Sequence, residues 1–310
     1  VAVVELDNPP RNYMTWQMVD GLDEVTRTLE ADPSVRAVVL TGAVPGRFVT
    51  HFDVREELSL WRSAGPLPDV SPGLARLGAV AGRLWRGLSD SAPPAARALT
   101  PLLARFKYAR LLLAMERIHG ILRRLERMDK GVIAAINGHA IGAGYELALA
   151  CDFRFMARGD AQVGLSEILL GVLPGAGGVQ RLVRLVGMRH ARRILLEGRH
   201  YPAAEAEALG LVDSLHAPEA LLSHCLEHAA LLARRSPVAV GRLKRGLLEG
   251  GKLEDALKAE QTLVLEHGIP RESLSAMERF VEMLEESGIE EEDVFERFQR
   301  GEPVRFGDKP

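Results

Sequence analysis

Residues 130–182 read KGVIAAINGHAIGAGYELALACDFRFMARGDAQVGLSEILLGVLPGAGGVQRL. Val132–Ile136 is a short apolar, β-branched run of the kind that forms a buried strand. Asn137-Gly138 breaks it, Gly142-Ala143-Gly144 makes a second turn, and Tyr145–Cys151 follows as a compact helical segment. The stretch therefore reads as strand, glycine turn, helix start. That order leaves open backbone N–H groups at the positive end of a helix, where developing negative charge is stabilised. Glu146 falls in the first turn, with Leu147–Cys151 apolar behind it, and Glu167 lies in a second apolar setting, Val163–Leu170. A carboxylate is rarely buried without a partner, because desolvating its charge costs several kcal/mol or more. One reading makes each glutamate a solvated dipole partner. The apolar flanks favour a buried chemical role, and spacing alone leaves open whether the two face each other.

Outward from this stretch, composition sets bounds. A chain of 310 residues can bury a substantial core. Its 47% hydrophobic and 26% charged residues are those of a soluble globular protein. A net charge of −3 argues against general nucleic-acid binding. Cys151 and Cys225 sit in apolar helical patterns without metal-ligand spacing, which predicts reduced thiols, no metal site and a cytoplasmic protein. The longest apolar run, Val132–Cys151, carries Asn137, His139, Glu146 and three glycines, so no membrane span is expected.

The ordered motifs resemble the enoyl-CoA hydratase/isomerase (crotonase) superfamily. Ala135-Ile-Asn-Gly138, Gly142-Ala-Gly-Tyr-Glu-Leu-Ala148, Cys151-Asp152, Glu167-Ile-Leu-Leu-Gly171, Pro174-Gly-Ala-Gly-Gly178 and Gln180-Arg-Leu182 match its core pattern in order. Ala143 replaces the middle glycine and Ser166 the usual proline. Phe48-Val-Thr-His-Phe-Asp53 falls where the family carries F-x-A-G-x-D, with His51 in place of the glycine. His51 is either a tolerated loop variant, strained if a positive φ is required there, or a side chain placed at the substrate.

The resemblance implies an α/β fold: a crotonase-like spiral of repeated β-β-α units over residues 1–215, with a helical oligomerisation region over 216–310. It implies that Glu146 and Glu167 flank one water, and that the Thr50 and Ala143 N–H groups polarise a thioester carbonyl. Phe48, His51, Asp53, Gly142, Gly144 and Gly175 would contact the substrate or its CoA moiety. The implied activity is hydration of a 2-enoyl-CoA, by the two-glutamate members to which this chain is closest. No separate cofactor is implied, since CoA is part of the substrate, and the implied assembly is a homotrimer or a dimer of trimers. The rivals are a Δ3–Δ2 isomerase, a thioester hydrolase, a decarboxylase or a non-catalytic acyl-thioester-binding subunit. A Rossmann dehydrogenase is poorly supported, because Gly142-x-Gly144 has no third glycine.

Along the rest of the chain, Val1–Leu6 reads as a strand, the stretch from Met14 as a helix ended by Asp32-Pro33, and Arg36–Thr41 as a second strand. Asp53 and Lys130 are 77 positions apart, well beyond the family's spacing, which marks about 58–115 as inserted. Between positions 60 and 115 stand eight Lys/Arg against Asp69 and Asp90, predicting either a solvated basic face or a cover over the pocket or an interface. Leu111–Met128, Val179–Leu185, Leu221–Arg235, Val238–Leu248, Leu253–His267 and Glu272–Glu286 read as helices and Gln162–Gly164 as a short strand.

Overall fold

The computed structural model describes residues 1–64, 84–85, 88, 92–103, 107–170 and 173–249. Two sheets organise it. The first holds β1 (Ala2–Leu6), β2 (Ala37–Gly42), β4 (Gly131–Ile136), β6 (Phe153–Ala157) and β9 (Ser214–His216), in that order and all parallel. The second holds β3 (Gly46–Val49), β5 (Gly138–Ile141), β7 (Gln162–Gly164) and β8 (Tyr201–Pro202), parallel except for the last pair. From β2 to β7 the strands alternate between the sheets, so β2, β4 and β6 are each followed by a strand of the second sheet. This is the repeated, spiralling β-β-α arrangement of the crotonase fold.

The helices are α1 (Trp16–Ala31), α2 (Val54–Ala64), α3 (Pro93–Leu103), α4 (Lys107–Arg127), α5 (Ala143–Leu149), α6 (Gly178–Glu197, bent at Gly187), α7 (Ala203–Ala208), α8 (Pro218–Ala233) and α9 (Pro237–Glu249). The first strand, the helix after Met14, the second strand and the strand-turn-helix core all stand where the sequence puts them. Strand β5 is new: the sequence reads there only as two turns, Asn137-Gly138 and Gly142-Ala143-Gly144. The corner explains it. A Cβ on Gly138 would sit 1.8 Å from the Gly46 carbonyl carbon, so only glycine lets the chain fold sharply into the second sheet. Asn137 fixes the same corner, its Nδ2 donating to Gly42 O (2.9 Å) and its Oδ1 accepting from Gly42 N (3.1 Å). In the insertion expected over 58–115, α3 and the first part of α4 are helical; 65–83, 86–87, 89–91 and 104–106 lie outside the described residues. So do the helices expected at 253–267 and 272–286.

Strands β2 and β4 are buried on both faces, as their continuous apolar runs require. Val38, Leu40, Val132, Ala134 and Ile136 point into the main core. The alternate residues Ala37, Val39, Ile133 and Ala135 meet Leu221, Cys225 and Ala229 of α8 in a second core. Lys244 of α9 pins the start of β4, its Nζ donating to Leu125 O (2.9 Å), Lys130 O (3.0 Å) and Asp152 Oδ2 (2.8 Å). Asp152 Oδ2 also accepts from Val132 N at 2.8 Å. No helix among the described residues is long and apolar enough to cross a membrane.

Where α8 leaves the sheet, His216 and His224 stack at 3.7 Å between ring centroids, and His228 packs edge-on to Phe153 and Phe155. Burial and the neighbouring His224 hold His216 and His228 below the usual 6.5. Arg158 pushes His216 the same way, while Glu207 and Asp213 oppose at His216 and His228 respectively. A histidine held low in the fold binds fewer protons folded than unfolded, so its contribution to stability is present above about 6.5 and lost as pH falls below it. Thermal midpoints at pH 7.5 and 5.5 are expected to fall further for the wild type than for His216→Gln. An equal fall in both would refute the linkage.

Candidate active site

Gly142, at φ +53°, ends β5 and caps α5 from a backbone conformation that side-chain-bearing residues rarely adopt. Its N–H donates to Gly164 O (2.8 Å) and its carbonyl accepts from Glu146 N (2.8 Å). Glu146 thus rises from the first turn of α5 into the main core and is only 2% exposed. Its Oε1 accepts from Ala176 N (2.9 Å) and Gly178 N (2.7 Å), two amides of the glycine-rich turn before α6. That turn is itself held: Arg181 Nη1 donates to Ala176 O (2.5 Å), while Nε and Nη2 grip Glu126 of α4 at 2.7 and 2.8 Å.

Glu167 opens the short 3₁₀ turn Glu167–Leu170 and stands over the Gly142 turn; a Cβ added to Gly142 would lie 3.0 Å from Glu167 Oε1. Its Oε2 is buried without a hydrogen-bond partner among the described residues. Burial and then the charge of Glu146 push the Glu167 carboxyl up to about 7. Burial also raises Glu146, against the two amides and Arg181, which favour its ionised form. The charge of Glu146 therefore reaches the Glu167 carboxyl, which bears on the question that spacing left open. Glu57 of α2 adds a smaller repulsion to both. Nothing in the sequence marks Glu57 beyond an acidic residue in a helical turn.

The amides differ from expectation in one respect. Thr50 N–H donates to Asn12 O (3.1 Å), so it is taken up within the fold and does not serve as the open donor expected from the motif. Phe52 N–H makes no hydrogen bond among the described residues, and its peptide carbonyl, His51 O, accepts from Met14 N (2.8 Å). Ala143 opens α5 and has no carbonyl four residues back within the helix to bond, so its N–H makes no intrahelical hydrogen bond.

The remaining expected residues separate. Phe48 is wholly buried in the main core and has no surface to offer a ligand, which corrects the expected substrate contact. Gly144 faces Val49 O so closely that a Cβ would lie 1.9 Å from it, a packing role. Gly175 is exposed, and its carbonyl accepts from His119 Nε2 (2.8 Å). His51 and Asp53 line a cavity of about 660 Å³ with Arg11, Tyr13, Thr15 and Arg55. His51 packs tilted against Tyr13, 4.3 Å between ring centroids, and its φ lies outside the left-handed region, so no strain arises where the motif has glycine. Asp53 also caps α2, its Oδ1 accepting from Arg55 N (2.8 Å). No group of three or more His, Cys, Asp or Glu among the described residues is placed to hold a metal ion.

A family model described as enoyl-CoA hydratase/isomerase matches residues 109–287, which include both glutamates and the turn that grips Glu146. The chain belongs to the enoyl-CoA hydratase/isomerase family. A short-chain-enoyl-CoA hydratase of Clostridium acetobutylicum is 30% identical over 285 residues, 91% of each chain. A 2,3-dehydroadipyl-CoA hydratase of Escherichia coli is 40% identical over 149 residues, 48% of this chain and 54% of that one. Among solved structures, an enoyl-CoA hydratase from Bacillus anthracis superposes with a TM-score of 0.68 at 26% identity, covering 90% of this chain and 92% of that one. Membership of this hydratase/isomerase family makes the chain an enzyme of that class, with the crotonase fold.

Proposed function

We propose that the protein hydrates a 2-enoyl-CoA thioester. The observation that carries this reading is the pair Glu146, buried, and Glu167, half-buried, one carboxyl gripped by two amides and the other pushed up to about 7 by burial and the charge of the first. Two like charges held close in a dry site disfavour double ionisation, so one proton is kept between them. The amide bonds to Oε1 favour the ionised form of Glu146 against its burial, and in this reading Glu146 acts as the base toward water adding at C3. Glu167 carries the proton and supplies it toward C2. The open N–H groups of Phe52 and Ala143 receive the thioester oxygen as it gains enolate charge. The peptide carbonyls behind both donors already accept backbone hydrogen bonds, which polarises the N–H groups further.

The cavity lined by His51 and Asp53 flanks Phe52 on either side in sequence, and takes the CoA portion. Arg11 and Arg55 there suit phosphate, and the Tyr13–His51 pair offers a face for a base to stack on. No cofactor enters this chemistry, CoA being part of the substrate. A homotrimer or a dimer of trimers accompanies the reading, to be determined by sedimentation.

The deciding experiment follows enoyl-CoA thioesters of increasing chain length for loss of the conjugated chromophore, and 3-enoyl-CoA thioesters for double-bond shift. Hydration faster than isomerisation supports the proposal. Isomerisation alone replaces it with a Δ3–Δ2 isomerase, and binding without turnover with a non-catalytic subunit.

A further inference from the structure

We propose that His119 is a positioning residue for Glu146, acting through the single peptide group between Gly175 and Ala176. The proposal rests on the reading of Glu146 as the catalytic base. His119 lies in the middle of α4, and its Nε2 is 2.8 Å from Gly175 O. The N–H of that same peptide unit belongs to Ala176, which donates to Glu146 Oε1 at 2.9 Å. The chain of contacts is His119 Nε2–H to the Gly175 carbonyl, across one amide, and from the Ala176 N–H to the carboxylate. A donor on the carbonyl side of an amide makes its N–H a stronger donor, so His119 strengthens a bond that favours ionised Glu146.

Two further features single out this contact. Gly175 O can only accept, so His119 must carry its proton on Nε2; burial keeps the ring below its usual range and leaves Nδ1 as the basic atom. Gly175 is exposed and a Cβ on it would touch nothing within 4 Å, so side-chain packing does not fix this end of the turn. Arg181 and Glu126 hold the neighbouring Ala176 carbonyl side. His119 holds the Gly175 side. The charged groups facing His119 are Glu116 and Arg123 on its own helix and Arg181 from α6. Those facing Glu146 are Arg181, Glu57 from α2 and Glu167.

The test compares His119→Ala, which removes the donor, with His119→Gln, which keeps a neutral N–H donor. His119→Leu takes the place of the alanine variant if that one is unstable. The readouts are the acid limb of kcat/KM against pH and, in the ligand-free protein, the carboxyl titration of Glu146 by infrared difference, assigned with Glu146→Gln. Loss of the donor is expected to move both upward in pH and to lower kcat/KM on the acid side by roughly three- to tenfold, the effect of one hydrogen bond. His119→Gln is expected to restore both. Unmoved titrations, or equal shifts in the alanine (or leucine) and glutamine variants, overturn the proposal. If no enoyl thioester is hydrated at all, the functional reading has failed, and the infrared titration still decides the role of His119.

Discussion

Glu146→Gln and Glu167→Gln are each expected to lower kcat by about 10²–10⁴-fold, the range that a positioned general acid or base contributes. The substitutions are nearly isosteric, so folding should survive. At 146 the amide oxygen can still accept from Ala176 N and Gly178 N, which hold Oε1 in the native chain. What disappears is a group that can take a proton. At 167 the change removes a group that exchanges one, and leaves a neutral side chain beside Glu146 at every pH. Because the pair works as a unit, the double variant should fall little below the worse single one, and adding the two losses would overestimate it. In the native enzyme kcat/KM should decline as pH rises through about 7, where Glu167 gives up its proton. That decline should vanish in Glu167→Gln. Steady-state rates on a short-chain enoyl-CoA, with circular dichroism to check folding, are sufficient. Near-normal turnover in both single variants would remove the basis of the hydratase reading.

The sequence made the strand-turn-helix core legible because its signals are local. An apolar run stops at Asn137-Gly138, and a helical pattern starts beyond Gly142. It could not show that β5 lies between them, since a four-residue strand bracketed by glycines has no periodicity to read. Both carboxylates were identifiable by their apolar flanks, but the influence of one on the other depends on β7 and β5 pairing through Val163 and Gly164. The donor at Thr50 was misassigned because the motif fixes a loop, and only the ladder to Asn12 and Met14 tells which amides of an extended segment face inward. Phe48 was read as a contact from its place in the same motif, whereas its bulk belongs to the main core. Arg181 was visible only as part of a matching tripeptide. Its bond to Ala176 O and its pairing with Glu126, 55 residues away in sequence, needed the fold. Glu57 and His119 carry no local mark at all, because each acts through space on groups supplied by other elements.

Gly144→Ala is expected to be the most damaging single-methyl change near the site. A Cβ there would lie 1.9 Å from Val49 O and 3.1 Å from Val49 Cβ, a backbone collision that no rotamer change relieves. Either α5 withdraws from β3 or β3 is displaced. Val49 leads through Thr50 and His51 to Phe52, while Ala143 directly precedes Gly144. Any such movement therefore alters the spacing between the Phe52 and Ala143 amides, which in the proposed reaction converge on one oxygen. Loss of one such donor costs about 10²–10³-fold in kcat. Forcing an extra carbon into a packed interior costs about 1–3 kcal/mol of stability besides. Ala143→Gly is the matched control. It trims a side chain while leaving the backbone donor in place, so its kcat should stay close to the native value. Measuring kcat and thermal midpoint for both separates the effects: Gly144→Ala should lose turnover even at temperatures where it remains folded. A folded, fully active Gly144→Ala enzyme would mean that contact between α5 and β3 does not set the geometry of the two amides.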